Sequence, residues 1–91
     1  MKLVLVEWVD SSSSNGWTDI AALKRDIGPV HCRSVGWLAS EKGAEFLLLL
    51  PHTASAKPGD EPSQANGDIS IPLCAVLKTT WLVDPTKKRK K

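Results

Sequence analysis

The sequence predicts a mainly β domain, and three observations carry that prediction. Apolar and β-branched residues occur in short runs, turn-forming residues separate the runs, and only one segment has helical spacing. The chain has 91 residues, of which 42% are hydrophobic and 24% charged. This size and composition are typical of one small globular domain, which we expect over residues 1–84.

The first strand is predicted over residues 2–9, which are rich in β-branched and aromatic side chains. A polar, serine-rich loop follows over residues 11–16. The spacing of Ile20, Leu23 and Ile27 then predicts a short helix of about two turns, which a Gly-Pro pair ends.

The second and third strands are predicted over residues 30–40 and 44–50. The polar turn between them, residues 41–43, makes the pair a hairpin. Gly36 within the second strand indicates a bend or a bulge.

Residues 52–67 contain many Pro, Gly and polar residues and little to bury, which predicts a long exposed loop. A short strand over 68–71, one helical turn at 73–75 and a last strand over 76–83 follow. We expect residues 85–91 to form a disordered basic tail.

Five strands in this order, with one short helix between the first two and a helical turn before the last, match a small SH3-like barrel. The alternative is a small α+β sheet with the helix packed across one face.

Five stretches spread over residues 3–82 form a further pattern: VEWVDS, CRSVGWL, PH, GDISIP and AVL. This pattern resembles a family of small uncharacterised proteins encoded by bacteriophages and prophages. The resemblance implies a source in a bacterial host cell and a plausible small fold, and it implies no reaction.

The imidazole and thiol side chains do not have the spacing of a metal site. They are His31, Cys32, His52 and Cys74, and no two are separated by the two to four residues typical of zinc ligands. His31 and Cys32 are adjacent on a predicted strand, so their side chains point to opposite faces. We expect no metal and no cofactor, and we interpret both cysteines as reduced core thiols.

Catalytic residues are not predicted either. Cys32 and His52 both flank the predicted hairpin, but no acid in a recognisable context would orient the histidine. The serines at 11–14 lie in a flexible loop, and no glycine-rich phosphate motif occurs. The sequence therefore favours a protein that is not an enzyme.

Four tryptophans dominate the aromatic residues. Trp8 and Trp37 lie in predicted strands, and we expect both in the core. Trp17 and Trp81 are candidate binding residues, because tryptophan is enriched among the residues that dominate protein interfaces.

Arg33 is a third candidate binding residue. It projects outward from its predicted strand, and the alternative that we favour is a surface ion pair with Glu7 or Glu45.

The basic residues cluster at the C-terminal end. The net charge is +2, but five of the twelve Lys and Arg residues lie in the final run, so residues 1–86 carry 7 − 10 = −3. Any weak, non-specific binding of nucleic acid is therefore assigned to that run. Its residues are Lys87, Lys88, Arg89, Lys90 and Lys91.

Apolar runs at 3–6 and 47–50 are too short for a signal peptide or a membrane span, so we expect a cytoplasmic protein that does not contact a membrane. The predicted function is a non-enzymatic phage or prophage accessory protein that binds an unidentified protein partner, with modulation of a host factor as one role. The alternative is a small-barrel protein associated with nucleic acid through its basic C-terminal run.

Overall fold

A computed structural model describes residues 1–86 of the protein. It is mainly β, with one α-helix between the first two strands, as the sequence predicts. The elements are β1 (Lys2–Asp10), α1 (Ile20–Asp26), β2 (Val30–Leu38), β3 (Phe46–Leu50), β4 (His52–Ala54), β5 (Gln64–Asn66), β6 (Ile69–Pro72), a 3-10 turn (Leu73–Ala75) and β7 (Val76–Trp81).

Five of the strands form one antiparallel sheet in the order β6-β3-β2-β1-β7. Strands β6 and β7 are its two edges, so within the described residues the sheet is open and does not close into a barrel. Helix α1 buries none of its residues, which also differs from the alternative of a helix packed across the sheet.

The segment 52–67 is exposed apart from Thr53 and residues 55–63 form a loop, as predicted, but the prediction is wrong at both ends of the segment. Strands β4 and β5 pair there as a separate two-stranded ribbon, with His52 opposite Asn66 and Ala54 opposite Gln64. Backbone pairing supports this ribbon without apolar burial, since only Thr53 among its strand residues is partly buried. The apolar alternation that marks the other strands is therefore absent from this segment.

The core lies on one face of the sheet, which we call the inner face. Val4 and Val6 of β1 point to it, and Leu49 of β3 and Ile71 of β6 pack on them; all four side chains are fully buried. Alternation along β1 explains why its even-numbered residues share this face. The partly buried residues around the core are Trp8, Leu38, Leu47, Ile69, Ala75 and Val76.

Gly36 permits a close approach of β3 to β2. A Cβ atom added at Gly36 would lie 3.2 Å from the backbone N, C and O atoms of Leu50. Strand β3 pairs with β2 at only two registered positions, Trp37 with Leu50 and Leu38 with Leu49. The register of β1 with β2 is continuous at Gly36, so no bulge occurs there; the irregularity lies between β1 and β7, at Glu7 and Trp8.

The two tryptophans predicted in the core are only half-buried. Trp8 packs against the core, and its indole Nε1 donates a hydrogen bond to Ser34 Oγ at 3.0 Å. The prediction is wrong for Trp37, which lies opposite Leu3 and Leu50 on the outer face, the side of the sheet away from Val4 and Val6. Both faces of β2 carry apolar residues near its end, so alternation alone could not assign its inner face.

Substitution of Gly36 tests the close approach of β3. We expect Gly36→Ala to lower the free energy of unfolding by about 1–3 kcal/mol, because the added methyl group meets backbone that has little room to move. Gly28→Ala is the matched control, since nothing lies within 4 Å of a Cβ atom at that position. Urea denaturation measures both, and equal stabilities of the two variants would contradict the packing.

Candidate binding surface

Trp81 lies on the edge strand β7, opposite Val4 of β1. The residue is 58% exposed although it shares the inner face with the buried Val4. Lys2 Nζ lies 4.9 Å from the centroid of the Trp81 ring, within the range of a cation–π interaction. The lysine therefore covers part of the exposed indole and gives this end of the strand a positive charge.

The other side of β7 has no partner strand in the described residues. Leu82 N donates to Leu3 O at 2.9 Å, which fixes the alternation of backbone groups along β7. In this register Thr80 points its N–H and C=O groups toward β1, whereas Thr79 and Trp81 point theirs away from it. These outward groups are available to a further strand.

Apolar side chains accompany these backbone groups. Leu77 is 59% exposed, and Val83, just beyond the strand, is also strongly exposed. We call residues 77–81 with these outward groups the β7 edge. It combines backbone donors and acceptors, an indole and the ammonium group of Lys78.

Arg33 lies on the outer face, in a row that crosses three strands. It is opposite Glu7 of β1, which in turn is opposite Lys78 of β7. Arg33 Nε lies 3.7 Å from Glu7 Oε1, so the predicted surface pair with Glu7 is present. The arginine side chain is 71% exposed, and such a pair contributes only about 0–1 kcal/mol to stability.

Trp17 is fully exposed in the loop before α1. Its indole lines an open groove with Ile20, Leu23 and Ile27. This groove follows the end of β1 at Asp10, whereas Trp81 lies opposite Val4 near the other end of the strand.

The structure therefore does not bring the three candidate binding residues together. Arg33 and Trp81 lie on opposite faces of the sheet, and Trp17 lies at a different end of it. The predicted polyanion-binding run, residues 87–91, lies outside the described residues.

The β4–β5 ribbon forms a second open groove, which the sequence did not predict. Its lining includes the side chains of His52, Gln64 and Asn66. Cross-strand pairing places these three polar residues on one face of the ribbon. Their polarity made the segment resemble a loop.

The thiols are free, but they are not both core residues. Cys32 is half-buried on the inner face opposite Trp8, while Cys74 is exposed in the 3-10 turn, so the core assignment of Cys74 is wrong. Over residues 1–86 no group of three or more His, Cys, Asp or Glu residues is placed to hold a metal ion. Within the same range no helix has the length and apolar character needed to cross a membrane.

Comparisons of the chain with protein-family profiles, with curated proteins and with solved structures return no match. The residues and their geometry are therefore what supports the function proposed below.

Trp17 is fully exposed whereas Trp8 packs against the core, and this difference can be measured as a difference in stability. We expect Trp17→Ala to change the free energy of unfolding by less than about 0.5 kcal/mol, because its side chain contributes nothing to the core. Trp8→Ala removes core contacts and the bond to Ser34, and we expect a loss of about 3 kcal/mol. Chemical denaturation gives both values; a large loss in Trp17→Ala would show that the indole packs against the protein.

Proposed function

We propose that this protein is a non-enzymatic protein-binding module, an accessory protein of a bacteriophage or prophage that acts on a host or phage protein in the cytoplasm of the bacterial cell. The observation that carries the proposal is the imbalance between buried and exposed apolar residues. Only four large side chains are fully buried among the described residues. The exposed large apolar residues are Met1, Trp17, Ile20, Ile27, Val30, Val35, Phe46, Leu73, Leu77, Trp81 and Val83.

Exposed apolar side chains that lie together are typical of surfaces that bind a partner, and Leu77, Trp81 and Val83 lie along β7 and just beyond it. Tryptophan supplies large contact area at interfaces with little loss of side-chain entropy. Trp81 is the favoured anchor, because its indole is exposed beside Lys2 and outward backbone groups adjoin it. The source in a phage or prophage is supported by the sequence resemblance alone.

The finer fold that we propose is an SH3-like half-barrel with the β4–β5 ribbon inserted between its third and fourth core strands. Two observations support it. The order β6-β3-β2-β1-β7 follows that of a five-stranded SH3-like barrel once the ribbon is set aside, and a 3-10 turn precedes the last strand.

Association with nucleic acid is the second candidate function, and the charge distribution favours it. Five basic residues at positions 87–91 follow a body that carries −3, so the final run would supply the phosphate contacts. Such binding is weak and independent of base sequence.

Affinity purification from nuclease-treated lysate of the natural host tests the main proposal. We expect the wild-type protein to recover one stoichiometric protein partner and Trp81→Ala to lose it, because the indole is exposed and available for contact. Lys24→Ala, on the exposed surface of α1, should retain the partner. Recovery of no stoichiometric protein by the wild type contradicts the proposal.

Deletion of residues 87–91 separates the two functions. The deleted protein should lose its affinity for duplex DNA and keep its protein partner. In the full chain, five phosphate contacts predict a slope of log affinity against log salt of about −4.5. Binding of DNA that survives the deletion would place the contacts on the folded body instead.

A further inference from the structure

The β7 edge presents a row of backbone groups that have no strand partner within residues 1–86. Thr79 and Trp81 direct their N–H and C=O groups away from β1, and β7 is the last strand of the sheet. An exposed edge of this kind is a template for an added strand.

The opposite edge of the sheet is much less suited to strand addition. Strand β6 has four residues and ends at Pro72, which lacks a backbone N–H group. Strand β7 has six residues, Val76–Trp81, and contains no proline. The two edges therefore differ in length and in donor content, and β7 is the open one.

The charges at the β7 edge select the kind of strand that can be added. Lys78 is the only charged residue of β7, and Lys2 lies over the ring of Trp81. Glu7 lies opposite Lys78, but its carboxylate is shared with Arg33, so the row Lys78, Glu7 and Arg33 keeps a net positive charge.

The sequence beyond β7 adds to this charge. Asp84, which accepts hydrogen bonds from Thr86, is the only acidic residue after Lys78, and five basic residues follow at 87–91. A second copy of the chain would bring the same positive strand against this one. Like charges that meet across an added strand are unfavourable, which disfavours self-pairing and favours an acidic partner.

We propose that the β7 edge binds an extended acidic segment of a partner protein as an added β-strand. The proposal rests on the proposed function and names the partner's chemistry. The outward groups of Thr79 and Trp81 bond to the backbone of the segment. An acidic side chain of the segment lies beside Lys78, and an apolar side chain contacts the indole of Trp81.

Titration of the full-length protein with synthetic peptides tests this proposal. The probe is a peptide of about ten residues in which Glu alternates with Val and Thr, and the matched control carries Lys at each Glu position. Amide NMR spectra should show saturable shifts and new exchange protection at Thr79 and Trp81 with the acidic peptide, at concentrations below about 1 mM. The basic peptide should produce neither.

Two variants locate the site. Thr79→Pro removes an N–H group that does not bond to β1, and it should abolish binding. Lys78→Glu should lower the affinity for the acidic peptide by about tenfold and permit binding of the basic peptide. Lys24→Glu, the same charge change on α1, should leave the affinity unchanged, and circular dichroism confirms that each variant is folded.

Several results would overturn strand addition. They are absence of shifts at about 1 mM peptide, equal binding of both peptides, insensitivity to Thr79→Pro, or self-association of the protein through β7. If the acidic peptide fails to bind while Trp81→Ala still loses the host partner, the binding module stands and only strand addition is wrong. If the purification recovers no host partner but the acidic peptide binds, the proposed function is contradicted and strand addition at β7 is retained.

Discussion

The packing of Leu49 and Ile71 on Val4 and Val6 is the contact on which the rest of the fold depends. These side chains come from β1, β3 and β6, so they join the β6 edge of the sheet to β1, on the far side of the central strand β2. Loss of a methyl group from so small a core leaves a cavity that few neighbouring side chains can fill. Gly36 is part of the same arrangement, because its missing side chain lets the backbone of Leu50 approach β2.

A core of this size leaves much of the sheet without cover. In the part of the chain that the structure describes, the two edges of the sheet do not pair with each other, and α1 contributes no buried residue. Where the fold does protect an edge, it does so at β6 with Pro72. At β7 the protection is the single positive charge of Lys78. This charge disfavours pairing with a positively charged strand and permits pairing with an acidic one. The small core and the proposed binding surface are thus linked, since the apolar residues that the core does not bury remain exposed and form that surface.

The sequence was most informative where alternation and turn residues agree. Residues 30–50 fold as the predicted hairpin, and the helix ends near the Gly-Pro pair that follows Ile27. The β4–β5 ribbon was missed because backbone pairing, which leaves no apolar pattern, holds it together. The sequence predicts Trp37 in the core because the pattern of β2 gives the spacing of its apolar residues but not which face of the sheet is covered.

The candidate site could be predicted only in part. Trp17 and Trp81 were identified by residue type, and both are exposed. The contribution of Lys2 and Thr79 was missed, because it depends on which strand lies beside β7 and on which backbone groups point outward. Strand order and register arise from contacts between segments far apart in sequence, which local pattern does not specify.

Native-state hydrogen exchange tests most directly whether a minimal core leaves β7 as an open edge. Adjacent amides provide the comparison: Thr80 N–H points toward β1, whereas those of Thr79 and Trp81 point to solvent. The account predicts strong protection at Thr80 and rapid exchange at Thr79 and Trp81 in the isolated protein. Protection of all three amides to the same degree would show that this edge is already covered and would contradict the account.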